Sequence, residues 1–234
     1  MVLLLVCSDL HGSEEALATL RKAEETTRPD AVVVCGDFTT YGSADYMRKA
    51  LDNFEADLLG VPGNCDTDEM LRMLEESGGS VHARRVKKAG LDFFGFGGGL
   101  PSSMNMPFEV EEVDMVAGLR SVAVRGGVMV THAPPKGAND LNRSGKHLGS
   151  EGLNRPAVFT LNGILDVHQP HDPQAFGQRV GGLADLLDHR ARQAVGRNGA
   201  GRIAGMHAGL FDVLHHAHHD HVRPVADRVH VDFG

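Results

Sequence analysis

Apolar positions follow two alternating rhythms along the chain as far as Pro135. Val2 to Cys7 is continuously apolar, the pattern of a strand covered on both faces, and a loop over Ser8 to Gly12 follows it. From Ser13 to Thr26 the spacing becomes helical. Ala31 to Cys35 repeats the strand and Ala44 to Phe54 the helix. Ala56 to Val61 leads into another loop, Thr67 caps a helix reaching Ser77, and Val128 to Thr131 is a further strand. Such alternation predicts an α/β fold with a mostly parallel sheet covered by helices, in which ligands gather beyond the carboxyl ends of the strands.

Four short motifs fall at those ends. They are Asp9-Leu10-His11, Gly36-Asp37, Gly63-Asn64-Cys65-Asp66 and Thr131-His132-Ala133-Pro134-Pro135. Alone, each has a plainer reading: an Asp or Asn after a strand is a turn or helix-cap residue, and a lone histidine before two prolines is structural. Together, Asp9, His11, Asp37, Asn64 and His132 offer five hard or borderline ligands of the kind that hold two divalent metals against a phosphate ester. Asp37, after the permissive Gly36, has two oxygens with which to bridge a pair of ions.

Composition narrows the partners. A formal net charge of −8 leaves no basic stripe for a nucleic-acid backbone, so general nucleic-acid binding is not expected and a small phosphate-ester substrate is met by metals. The three cysteines, Cys7, Cys35 and Cys65, lack CxxC spacing, which points to a reduced, cytoplasmic setting rather than a disulfide scaffold. The apolar opening is too short for a signal peptide, and no apolar run reaches membrane length, so no membrane partner is expected. Oligomeric state is not legible.

In order and spacing the motifs resemble the calcineurin-like metallophosphoesterase family, specifically its small bacterial and archaeal phosphodiesterase branch, over residues 1 to 153. The resemblance implies a two-sheet sandwich flanked by helices, with two divalent ions. Asp9, His11 and the bridging Asp37 surround one, and Asp37, Asn64 and His132 the other. Manganese, iron, nickel or zinc could serve. It also implies that a water or hydroxide held there attacks phosphorus in line, with Asn64 and Asp66 as catalytic residues. Phe94 to Pro101 resembles the branch's glycine-rich loop, a flexible turn or a substrate contact. Gly145 to Ser150 resembles the segment beyond the fourth motif, with His147 a loop residue.

Two departures qualify the resemblance. Many members carry His where this chain has Cys65, so a proton donor is lost and phosphomonoesters with poor leaving groups become less suitable substrates. A nucleophilic Cys65 and a merely half-buried Cys65 both remain open. The family's later Gly-His-x-His motif, one ligand for each metal, matches no string in this sequence, and His168, His171 and His207 lie at the wrong spacings. The C-terminal part of the fold therefore reads as missing, and activity as impaired. A phosphomonoesterase or nucleotidase is the alternative active reading, and a non-catalytic remnant the inactive one.

Residues 154–234 differ in kind. They hold no Lys, Glu, Ser, Tyr or Cys, yet ten of the fourteen histidines, and their charges cancel. Their reverse-complement codons, read back from Leu210 to Gly201 and from Pro170 to Leu161, resemble the large subunit of carbamoyl-phosphate synthase. That resemblance implies an antisense tail rather than a native domain. The rival reading takes His215 to His221 as a nickel, copper or zinc tract, which would make the chain a metal-binding protein. Val180 to Leu187 and Ile203 to His216 carry helical spacing.

Overall fold

The computed structural model describes residues 2–137, 140, 141 and 145–154, together with the strands Ile164–Asp166 and Ala226–Val231. Along the chain run β1 (Val2–Cys7), α1 (Glu14–Thr27), β2 (Ala31–Val34), α2 (Ala44–Leu51), β3 (Leu58–Gly60) and α3 (Asp68–Glu76). There follow β4 (Arg85–Lys88), β5 (Leu91–Phe96), α4 (Glu112–Val122), β6 (Val128–Thr131), β7 (Ile164–Asp166) and β8 (Ala226–Val231). They form two four-stranded sheets, in the orders β3-β2-β1-β8 and β4-β5-β6-β7. β1, β2 and β3 are parallel, as are β5, β6 and β7, while β8 runs antiparallel to β1 and β4 to β5. This is the two-sheet sandwich flanked by helices that the motifs imply.

The continuous apolar runs have a direct cause. Because side chains alternate across a strand, Leu5 and Cys7 of β1 and Val32 and Val34 of β2 face one way, into a cluster with Leu17, Leu20, Met47 and Met70 of the helices. Leu4, Val6, Ala31 and Val33 face the other way and meet Phe93, Val128 and Val130 of the second sheet. On the far side of that sheet Phe94 and Met129 pack against Met115 and Leu119 of α4. A strand buried on both faces has no polar positions, so its sequence reads as an unbroken run.

Helix starts follow the expected chemistry, with one difference. Ser13 and Ser43 cap α1 and α2 through their hydroxyls, which accept from Ala16 N–H (3.1 Å) and Tyr46 N–H (3.3 Å). Thr67 stands at the start of α3 in extended conformation without a side-chain capping bond. α2 stops at Leu51, short of Phe54, and β3 spans Leu58–Gly60 rather than Ala56 to Val61. β4, β5 and α4 have no counterpart in the sequence reading. The helical spacings at 180–187 and 203–216 lie outside the described residues, and none of the described helices is long and apolar enough to cross a membrane.

β7 and β8 come from the compositionally distinct tail. β8 pairs with β1 along its whole length, from Val2 opposite Val231 to Cys7 opposite Ala226, and β7 extends β6 on the other sheet. The edge of each sheet next to the site-bearing strands is thus paired rather than open.

Candidate metal centre

The loops that follow β1, β2, β3 and β6 carry the four motifs and are tied to one another by their backbones. Asp9 N–H donates to the Gly36 carbonyl (3.0 Å), His11 N–H to that of Asp37 (2.9 Å) and Gly12 N–H to that of Phe38 (3.0 Å). Asp9, His11 and Asp37 all adopt left-handed backbone, with φ of 59°, 47° and 54°. Aspartate and histidine adopt this conformation more readily than most residues with a Cβ.

Two glycines let the loops close on each other. A Cβ on Gly36 would lie 2.6 Å from His132 Nδ1 and 2.7 Å from Gly63 Cα, and one on Gly63 would lie 2.1 Å from Asp37 Oδ1. Both positions therefore require glycine for close approach.

Asp9, His11 and His132 gather around Asp37, and Asn64 joins them through His132. His11 Nε2 lies 3.5 Å from Asp9 Oδ1 and 3.6 Å from Asp37 Oδ2, and His132 Nε2 lies 3.6 Å from Asp37 Oδ1. Asn64 Oδ1 is 2.8 Å from His132 Nε2. Donor atoms of Asp9, Asp37 and His132 lie within 4.8 Å of one another, and so do those of His11, Asp37 and Cys65. This grouping differs from the expected one: Asp9 stands with His132 as well as His11, and Cys65 joins His11 and Asp37.

The donor set fits a cation. His132 Nδ1 lies 2.8 Å from the Cys35 carbonyl oxygen, which can only accept, so Nδ1 carries a proton and donates it there. A neutral imidazole then presents the Nε2 lone pair to Asn64 Oδ1, another acceptor. With the Asn64 oxygen turned toward it, that lone pair takes a positive charge, a proton or a metal ion, between the two, whereas the same amide turned over would donate to it. A histidine whose second nitrogen donates to a backbone carbonyl is also the usual state of a metal ligand. In the chain by itself a proton can supply that charge. Burial opposes protonation of His132, but the Asp37 and Asp9 charges and the Cys35 carbonyl outweigh it and raise its pKa. The Asp9 carboxylate likewise raises that of His11, with Asp37 adding and burial opposing.

Asp66 sits differently. It is fully buried, and its two oxygens accept from the N–H groups of Phe38 (3.1 Å), Thr39 (2.8 Å) and Gly63 (2.8 Å) and from the Thr39 hydroxyl (2.9 Å). Burial pushes its carboxyl up to about 6, with the Gly63 and Thr39 donors opposing and Asp37 adding. The carboxylate thus binds the β2 loop to the β3 loop beneath the cluster and faces no solvent. Cys65 is buried; its N–H donates to Asp37 Oδ1 (2.8 Å), and burial, then Asp37, pushes the thiol pKa up.

Around this centre the glycine-rich loop backs Asn64. Phe108 N–H donates to the Asn64 carbonyl (3.1 Å), Gly98 N–H to that of Pro62 (2.8 Å), and a Cβ on Gly99 would lie 2.8 Å from Asn64 Cβ. Gly97 N–H donates to His82 Nδ1 (2.9 Å), a histidine missing from the sequence reading because no motif surrounds it. His147 pairs with buried Asp140, Nδ1 to Oδ1 at 2.7 Å, apart from both ligand groups. His168, His171, His207 and the tract from His215 to His221 lie outside the described residues.

A two-sheet α/β sandwich whose strand-end loops gather imidazoles and carboxylates is the framework of a metal-dependent phosphoester hydrolase. The chain belongs to the calcineurin-like phosphoesterase family, whose profile matches residues 2–180 and so runs past Leu153. It is 29% identical over 156 residues to the uncharacterised protein MJ1162 of Methanocaldococcus jannaschii, a match covering 63% of this chain and 69% of that protein. The fold resembles TT1561 of Thermus thermophilus, with a TM-score of 0.59 and 17% identity over 72% of this chain and 82% of that one. A second solved structure gives a TM-score of 0.56 at 17% identity, covering 73% of this chain and 86% of its own.

Proposed function

We propose that the chain hydrolyses phosphodiesters of small molecules at two divalent ions held by Asp9, His11, Asp37, Asn64 and His132. The observation that carries this reading is the convergence of both imidazoles on the two oxygens of Asp37, with the Asn64 side-chain oxygen 2.8 Å from His132 Nε2. When bound, the ions supply Lewis-acid activation of water and neutralise charge developing on the phosphoryl group. Asp37 is the shared ligand, since each of its oxygens faces a different histidine. The Cys35 carbonyl fixes the ring orientation of His132, and Asp66 acts by holding the two loops in register rather than by touching substrate.

The preference for diesters follows from Cys65. Cys65 is buried with its N–H on Asp37 Oδ1, and a cysteine there gives no proton to a departing oxygen in the way a histidine would. Esters whose leaving group departs unaided are favoured. Assays of bis(p-nitrophenyl) phosphate and p-nitrophenyl phosphate under the same metal should give a kcat/KM at least about tenfold higher for the diester, roughly 1.4 kcal/mol of transition-state preference. The reverse ratio favours a phosphomonoesterase or nucleotidase.

A further inference from the structure

We propose that Cys65 is itself a metal ligand, binding one ion through Sγ together with His11 and Asp37, which directs that position toward zinc or iron rather than manganese. The inference rests on the metal-binding reading above and adds to it a ligand and a metal preference.

Three observations converge. Donor atoms of His11, Asp37 and Cys65 all lie within 4.8 Å of one another. Tetrahedral zinc, with Zn–S near 2.3 Å and Zn–N near 2.1 Å, spaces sulfur and nitrogen ligands by roughly 3.6 Å, within reach of small side-chain rotations. The Cys65 N–H holds Asp37 Oδ1 at 2.8 Å, so the cysteine backbone is already locked to the carboxylate at the centre of the cluster. His11, the most exposed of the three, leaves the group open to solvent on one side, while Cys65 and Asp37 form its floor.

Chemistry accounts for the rest. Without a cation a thiol among carboxylates stays protonated; a divalent ion inverts that local logic, and a coordinating thiol gives up its proton to solvent. Thiolate is a soft ligand that suits zinc and iron, whereas manganese prefers oxygen. One carboxylate, one imidazole and one thiolate make a borderline-soft position, whereas Asp37 with Asn64 and His132 make a harder one.

Cobalt(II) is the probe. Titrated into the metal-free full chain, it should give visible d–d bands together with a near-ultraviolet thiolate-to-cobalt charge-transfer band. Cys65→Ser should lose the charge-transfer band and keep the d–d bands, and Cys7→Ala, a buried thiol outside both groups, should keep both. Zinc affinity should fall at least about tenfold in Cys65→Ser, with manganese affinity moving less. Because Cys65→Ser alters a buried position, cadmium-113 resonance of the cadmium-loaded wild-type chain gives a reading without any variant: thiolate coordination moves it far downfield of nitrogen and oxygen sites. Visible bands without charge transfer, or a charge-transfer band surviving in Cys65→Ser, overturn Cys65 ligation and leave the metal site standing. No cobalt bands at all overturn both.

Discussion

Gly36 is a closely packed point of the site. Its φ of +97° is left-handed, and a Cβ there would press on His132 Nδ1, the atom that donates to Cys35. Gly36→Ala should therefore cost at least about 2 kcal/mol in urea unfolding and at least about tenfold in hydrolysis, because strain and the displaced ring act together. Wild-type stability and rate in that variant would contradict the geometry. Asp9, His11, Asp37, Asn64 and His132 are all legible as ligand candidates, since strand ends announce themselves and polar residues there stand out from apolar runs. The Cys35 carbonyl is not, because a backbone acceptor has no sequence signature. Nor is the place of Cys65 beside His11, which depends on how the β3 loop folds back onto Asp37.

Among elements, the doubly buried β1, β2 and β6 and the helices with serine caps can be read directly, whereas β4, β5 and α4 cannot. β4 is Arg-Val-Lys-Lys on an edge, too polar to resemble a buried strand. α4 contains Gly118, a poor helix former, placed there because a Cβ would lie 2.1 Å from the Phe96 ring of β5. The glycine-rich loop is legible as a turn only from Gly97 onward, since Phe94 to Phe96 belong to β5, and its anchor, His82, is not legible. His82 lies between Phe96, ring centres 4.3 Å apart, and Phe108, 5.7 Å away, with Nδ1 accepting from Gly97. Burial lowers its pKa from 6.5 to about 4, with Glu75 opposing.

The sign of the effect follows from linkage. Above pH 6.5 the ring is neutral folded or unfolded, and its contribution to stability is complete. Below that the unfolded chain takes the proton first, so stability is lost as pH falls from 6.5 to about 4, by roughly 3 kcal/mol. Urea unfolding across that range should show this extra loss in wild type and not in His82→Gln, which keeps an acceptor but does not titrate. Equal slopes would contradict the neutral, buried ring.

For the whole molecule, the break in composition after Leu153 coincides with a change in what the chain contributes. Among the described residues, those before it carry the motifs and the cores, and those beyond Asn154 form β7 and β8, each laid along one edge of a sheet. The ladder hydrogen bonds come from the backbone, which is how a segment of different composition can still close an edge. For the same reason both strands are illegible in the sequence, where no apolar rhythm marks them. A chain ending at Asn154 would leave β1 and β6 as open, apolar edges, and should associate in a concentration-dependent way by light scattering after gel filtration. A monodisperse monomer from that truncation would show that the two tail strands are dispensable.

The central claim is that phosphoester hydrolysis runs on ions gathered around Asp37. The full-length chain, stripped with a chelator and then titrated with manganese or zinc, should regain hydrolysis of bis(p-nitrophenyl) phosphate, and Asp37→Ala should lower kcat/KM by at least about a thousandfold, roughly 4 kcal/mol. Hydrolysis that survives chelation, or that Asp37→Ala leaves intact, would contradict the account.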